Sequence, residues 1–221
     1  MTAGIEALLA EVARRTEVAA HPAYLDLTSP DLDAVAAVLA AAGERTAVVV
    51  PLLFTEAFHA RIDVPAAVAR ATEVSGVRFT IAPVLGTAED VLEVMAQRLA
   101  AAGTGDDEQV LLYAVGSSRA AANAAVADLA DRLSARRGAP VRAGFGTTDP
   151  RATDVLAEWA VPAGTVVPLF VAPGLLLDAI ATAVTAAGWW LADPLGTLLA
   201  PLVAERYRAS LNRARAGSSE R

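Results

Sequence analysis

The sequence predicts an α/β protein built from two similar halves, each a parallel sheet flanked by helices. Three observations carry this. Short apolar runs alternate with segments of helical period along nearly the whole chain, the pattern of right-handed βαβ units. Residues 47–54 form a continuous Val-rich apolar run, too short to span a membrane, which reads as a strand buried on both faces. The halves also repeat: VVPLLFTEAFH at 49–59 aligns with VVPLFVAPGLL at 166–176, so Pro51 matches Pro168 and His59 matches Leu176. Leu85-Gly86-Thr87 matches Leu195-Gly196-Thr197, and Ser29-Pro30 matches Asp149-Pro150.

Each element has its own signal. Ile5, Leu8, Leu9 and Val12 mark one face of a helix over 3–16. Residues 23–27 predict a short strand. Ser29 as N-cap, with Pro30 at the first helical position, starts a helix to about Ala42. The central strand follows, then a helix from Asp63 to Ala71, a strand over 77–85 and a helix over 88–101. GTGDDE at 103–108 is small and acidic and reads as a linker. It divides a first half, 1–105, from a second, 106–221.

The second half carries strands over 109–115, 141–145, 165–171 and 189–192. Helices over 119–136, from 149–150 to Trp159, from 173–174 to Ala186 and over 196–214 alternate with them. The first half has only three strands, because the counterpart of 109–115 would lie ahead of residue 1. A buried parallel strand without that neighbour keeps unpaired backbone groups. Either the sequence is a piece, or another chain or a rearrangement covers the gap, and self-association through the exposed sheet, a homo-oligomer, is one expectation.

Composition narrows the chemistry. The chain of 221 residues is 55% hydrophobic, enough for a well-filled core. With no cysteine there is no disulfide, thiolate nucleophile, Cys-ligated zinc or iron–sulfur cluster. Net charge is −7 and every basic residue is arginine, with only 206–215 locally basic, so nucleic acid is not an expected partner. The N-terminus predicts no signal peptide, and the most apolar region, 179–192, is too short for a bilayer. A cytoplasmic location with no membrane partner is expected.

His59, one of two histidines, follows the end of the central strand. Ligands in open α/β sheets sit off the carboxyl ends of the strands, where a histidine can bind metal or move protons near neutral pH. A surface loop histidine is the alternative. Glu56, three residues earlier, is either a carboxylate that orients the imidazole or a solvated loop residue. His21 sits at a strand start, at the opposite end of the sheet, and reads as a surface residue. Phe54, Phe58 and Trp189-Trp190 read as core and wall.

PLLFTEAFHARIDVP resembles the PLxLxxGxHxxxDxP segment of the sirohydrochlorin chelatases, with Pro51, His59, Asp63 and Pro65 in register. YLDLTSPDL, LYAVGSSRAAANAAV, VVPLFVAPGLLLD and ADPLGTLLAPLVAERY resemble four further segments of the long, two-half form, in the same order. The resemblance implies two chelatase-like halves facing each other across a tetrapyrrole, with the first strand of the N-terminal half missing. It implies a lyase that inserts Co²⁺ or Fe²⁺ into sirohydrochlorin for cobalamin or sirohaem biosynthesis, with the divalent metal as substrate and no tightly bound cofactor. A catalytically degenerate relative that binds a tetrapyrrole or metal, or completes a partner, is the other expectation.

In that family two histidines hold the metal mainly. One lies in an HGSR turn after the first strand, and the other is matched here by His59. An acidic residue matched by Asp26 lies close to them. The resemblance therefore makes His59 the catalytic residue and, with Asp26, a metal ligand. The HGSR turn is absent from the first half. The second copy reads Val115-Gly116-Ser117-Ser118, with Val in the histidine position, while Leu176 and Gly146 stand opposite His59 and Asp26. Imidazole and carboxylate hold first-row ions with moderate affinity, so the ion can leave for the macrocycle, and protons compete for the same imidazole at low pH. Sirohydrochlorin is rich in carboxylates. Free N–H groups at Ser117 and Ser118, and the forked donors of Arg119 and Arg61, are candidates to bind them. N-capping and solvated arginines are the alternatives.

Overall fold

A computed structural model describes residues 2–25, 28–56, 59–159 and 163–219. The first half runs through α1 (Thr2–Thr16), α2 (Leu32–Ala41), β1 (Thr46–Val49), a π-helical turn (His59–Asp63), α3 (Val64–Ser75), β2 (Arg78–Ile81) and α4 (Glu89–Ala101). The second continues with β3 (Val110–Ala114), α5 (Ala120–Arg137), β4 (Val141–Phe145), α6 (Ala152–Trp159), β5 (Thr165–Pro168), α7 (Leu175–Ala186) and β6 (Trp190–Leu191). A 3₁₀ turn (Gly196–Leu199) then leads into α8 (Ala200–Ser219). All described strand pairs are parallel, as the alternating pattern requires.

The chain forms two compact units, and each sequence repeat gives its last helix to the unit built mainly from the other repeat. Unit 1 holds Met1–Ile5 and Thr87–Leu199, so α4 packs with α5 and β5 of the second repeat. Unit 2 holds Glu6–Gly86 and Ala200–Arg221, so α8 packs on β1 and β2 of the first. The repeats meet in sequence at the 103–108 linker, but the compact units do not divide there.

Unit 1 has the strand order β4-β3-β5-β6. β3 is central, with Val110 opposite both Val141 and Thr165, and all five of its residues are buried. Leu111 and Tyr113 pack with Ala152, Leu156, Val166, Ile180 and Trp189 on one face. The buried leucine, valine and isoleucine side chains among them each contribute about 1.5–3 kcal/mol by leaving water. The order in which strands join the sheet reverses between β3 and β5, which stay parallel, so the crevice for a ligand in this topology lies off their carboxyl ends.

Gly144 of β4 allows α6 to approach this sheet. A Cβ there would stand 2.8 Å from Ala152 Cα and 3.0 Å from Leu111 Cδ1. The linker is held as well. Arg137 donates to the carbonyls of Gly105 (2.9 Å) and Glu108 (2.8 Å). Buried Thr165 donates to Glu108 Oε1 at 2.6 Å. Burial pushes the Arg137 guanidinium pKa down, and Glu108 and Asp106 oppose that shift.

Unit 2 has, among its described residues, a two-stranded sheet of β1 and β2. The predicted run 47–54 is shorter as a strand and less buried. β1 ends before Pro51, which has no N–H to donate, as β5 ends at Pro168. None of its four residues is fully buried, whereas all four of β5 are. Residues 23–25, predicted as part of a strand, form only an isolated bridge from Tyr24 to Asp31, and residues 26 and 27 lie outside the described residues. One core cluster of this unit is α2 against α3, through Leu32, Ala36, Val64, Ala67, Val68 and Ala71.

The N-cap of α2 is Asp31, not Ser29. Asp31 has extended backbone and its Oδ1 accepts from Ala34 N–H at 2.8 Å, while Ser29-Pro30 precedes the helix as a cis peptide. Asp149-Pro150 is also cis.

The helix caps extend the repeat. Buried Leu8 and Val12 of α1 stand where Leu129 and Leu133 stand in α5. α5 ends at Gly138 with φ 71°, its N–H on Ser134 O at 2.9 Å. α1 ends the same way at Glu17 with φ 59°, its N–H on Ala13 O at 2.8 Å. A left-handed conformation costs a residue with a Cβ roughly 1–2 kcal/mol, partly offset by the larger chain entropy of unfolded glycine. Glu17→Gly is therefore expected to stabilise the protein by about 0.5–1 kcal/mol, read as a higher midpoint in urea denaturation.

Candidate metal-handling site

The site is built from the chain that leaves β1. Buried Pro51 ends the ladder, and Leu53 O then accepts from Leu85 N–H at 2.9 Å, holding the departing chain beside that of β2. Residues 57 and 58 lie outside the described residues. His59 opens the π-helical turn that runs into α3, with Pro65 in its first turn, where a fixed φ suits a helix start.

His59 and Asp63, one turn apart, meet on one face. Nδ1 of His59 lies 2.7 Å from Asp63 Oδ2, with the side chains 54% and 34% exposed. Asp63 occupies the N-cap position of α3 but makes no capping bond; its carboxylate serves the imidazole instead. A carboxylate accepts, so Nδ1 carries the proton and Nε2 becomes the basic nitrogen. The negative charge also makes the ring a stronger donor to a metal. Half-exposure leaves the pair accessible to a substrate.

Glu56 was the sequence candidate for this orienting role, and the carboxylate on Nδ1 is that of Asp63. The spacing of four residues between His59 and Asp63, with Pro65 two residues on, was the signal for it. Arg61 lies exposed on the same turn. Asp26 lies outside the described residues. Among the described residues no group of three or more His, Cys, Asp or Glu side chains comes together.

The candidates of the second half follow β3 in unit 1. Gly116 has φ 91°, and a Cβ on it would stand 2.6 Å from Thr148 Cγ2, so only glycine fits this turn. The Ser117 amide donates to Asn123 Oδ1 at 2.9 Å, and Asn123 Nδ2 returns to Ser117 O at 2.8 Å. Ser117 Oγ accepts from Arg119 N–H at 3.1 Å. The Ser117 amide and hydroxyl are thus engaged within the chain. Ser118 and Arg119 are exposed at the start of α5.

The second copy differs at the position of His59. Leu176 stands there, and its carbonyl accepts from the Tyr113 hydroxyl at 2.9 Å. The Tyr113 ring stacks on Phe170 with centroids 5.3 Å apart, and its oxygen lies 2.7 Å from where a Gly146 Cβ would stand. A phenol fills the space that faces the loop position opposite Asp26. Burial raises the Tyr113 pKa, which keeps the hydroxyl a neutral donor.

Comparison with known proteins agrees with both repeats. A family model, CbiX, matches residues 2–102 and again residues 109–210. The sirohydrochlorin cobaltochelatase of Sulfurisphaera tokodaii is 32% identical over 76 residues, a match that covers 34% of this chain and 61% of that relative's length. SirB from Bacillus subtilis subspecies spizizenii, a sirohydrochlorin chelatase solved in complex with cobalt, superposes with a TM-score of 0.76 at 21% identity, covering 98% of this chain and 92% of that one. SirB from Bacillus subtilis with Fe³⁺ gives 0.74 at 20% identity, covering 99% and 91%. With both repeats matched by the one model, and the same fold in these chelatases, the chain belongs to the CbiX family, the family of sirohydrochlorin chelatases.

Proposed function

We propose that this protein inserts a divalent first-row metal, Co²⁺ or Fe²⁺, into sirohydrochlorin, supplying cobalamin or sirohaem biosynthesis in the cytoplasm. The observation that carries the reading is the His59–Asp63 pair, 2.7 Å apart at the head of α3, in a chain matched to the family over both repeats. Insertion replaces both pyrrole N–H protons by the metal. Nε2 of His59, the ring nitrogen not bonded to Asp63, can present the ion and then accept a departing proton. Asp26 is the proposed second ligand. Arg61 on the same turn is a partner for a macrocycle carboxylate, and Ser118 and Arg119 offer donors at the strand ends of unit 1.

The test is anaerobic incubation of the protein with sirohydrochlorin and Co²⁺ or Fe²⁺, followed by absorbance. The expected result is metal insertion above the rate without protein. Rates equal with and without protein, for either metal, would overturn the activity. Tetrapyrrole binding with those equal rates would establish the second reading, a relative that binds without inserting. The sparse ligand set among the described residues gives that reading its support.

A further inference from the structure

Arginines on the last helices of the two repeats grip matching turns. In unit 2 the chain after β2 turns at Val84-Leu85-Gly86, where Leu85 is fully buried and Gly86 has φ 79°. Its two peptide groups are held on both sides. Leu85 N–H and Gly86 N–H both donate to Leu53 O, at 2.9 and 3.4 Å. Arg206 of α8 donates through Nε to Val84 O at 3.3 Å and through a terminal nitrogen to Leu85 O at 3.1 Å. Val84 O and Leu85 N–H belong to one peptide group, and Leu85 O and Gly86 N–H to the next. A guanidinium on each oxygen polarises the N–H opposite it, so these bonds strengthen one another.

Unit 1 has the same turn with a looser grip. Leu195 and Gly196 donate to two different carbonyls, Phe170 O at 2.9 Å and Val171 O at 3.0 Å. Arg98 of α4 donates to Leu195 O at 3.2 Å, and its buried Nε has no partner among the described residues. The chain leaving Phe170 leads to Leu176, whose side chain has no donor atom, and the chain leaving Leu53 leads to His59. The forked grip, with both N–H groups on one carbonyl, belongs to the unit whose strand end carries the imidazole.

We propose that Arg206 is a positioning residue for the metal step, given the role of His59 proposed above. It fixes Leu53, and with it the start of the segment that delivers the imidazole. Leu53 is held from two directions. Its side chain packs against the cluster formed by α2 and α3, and its carbonyl is set by the turn that Arg206 grips. α3 begins at the turn that carries His59 and Asp63, so Leu53 ties that helix start to the end of β2. Without the guanidinium, the carbonyls of Val84 and Leu85 lose a charged donor beside a fully buried side chain. The turn then loosens, Leu53 O loses its two fixed donors, and the imidazole samples more than one place. A helix of the second repeat thereby sets the geometry of a histidine in the first.

The experiment compares Arg206→Met, which keeps an apolar stem and removes the donors, with Arg98→Met, the same loss in unit 1. Amide hydrogen exchange reports the turns. Proton–nitrogen spectra of the imidazoles report His59, with exposed His21 as the internal reference. In Arg206→Met, exchange at 85 and 86 is expected to rise about tenfold or more, and the His59 ring signals to broaden or split while those of His21 stay. Arg98→Met should speed exchange at 195 and leave both rings unchanged. With Co²⁺ alone, half-saturation should need about tenfold more metal in Arg206→Met and no more in Arg98→Met. Arg206→Lys, a point charge without the fork, should fall between the parent and Arg206→Met. A His59 ring unmoved while exchange at 85 and 86 rises would overturn the proposal, as would unchanged exchange there. An equal His59 response in Arg98→Met would mark general loosening and also overturn it. If Arg206→Met does not fold, Arg206→Lys carries the same readouts. A parent chain whose His59 takes up no Co²⁺ would count against the proposed activity, and the ring spectra would still decide whether Arg206 positions the imidazole.

Discussion

His59→Ala is expected to bring metal insertion down to the rate without protein, and Asp63→Asn to reduce the catalysed excess about 10–100-fold. The two substitutions act differently. Alanine removes the nitrogen that presents the ion and takes the proton. Asparagine keeps the size of Asp63 but can donate as well as accept, so it no longer fixes the proton on Nδ1, and its neutral amide withdraws the charge that makes Nε2 a strong donor. Asp63→Asn should therefore weaken Co²⁺ binding, seen as a higher metal concentration at half-maximal rate. Both side chains are partly exposed, so the unfolding midpoint should move little, about 0–1 kcal/mol for such a pair. Insertion at an unchanged rate in Asp63→Asn would remove the orienting role, and in His59→Ala it would remove the site.

Leu111→Ala is expected to cost about 2–5 kcal/mol in urea unfolding, because Leu111 is fully buried at the centre of the unit 1 sheet. Gly144→Ala is expected to cost about 1–3 kcal/mol by pressing a methyl against Ala152 and Leu111. Combined, they should cost less than the sum of the two, since the new methyl enters space that Leu111 has vacated and only the contact with Ala152 remains. Additive costs in the double mutant would show that α6 moves away to make room, rather than Leu111 yielding.

Much of the fold could be read from the residues, because hydrophobic period and turn chemistry are local. VVPLLF and VVPLF marked the aligned strands, and Ala122, Val126, Leu129 and Leu133 fall on one buried face of α5. What escaped depended on neighbours distant in sequence. The burial of β1 is set by which strands flank it, and no local pattern reports that. Ser29 and Asp31 are both good N-caps, and only the backbone leaving Pro30 selects Asp31. GTGDDE reads as solvated until Arg137 is placed beside its carbonyls.

The site divides along the same line. His59 and the alignment of Leu176 with it were legible, and the partner of the imidazole was not, because a histidine–aspartate pair at this spacing needs the helical turn to bring it together. Tyr113, whose hydroxyl donates to the Leu176 carbonyl in the second copy, lies inside an apolar strand, so nothing in its surroundings in sequence marks it as polar filling.

The return of α8 to unit 2 has a consequence for the order in which the protein is made. Residues 6–86 are synthesised before most of unit 1, yet the helix that covers β1 and β2 is synthesised after it. Unit 1 has all its strands and α4 by Leu199 and can close while the chain is still attached. Unit 2 must wait with a half-covered sheet of β1 and β2 until α8 has been made. Unit 2 thus matures after unit 1, and until then the nascent chain is exposed to chaperones and to misassembly at β1.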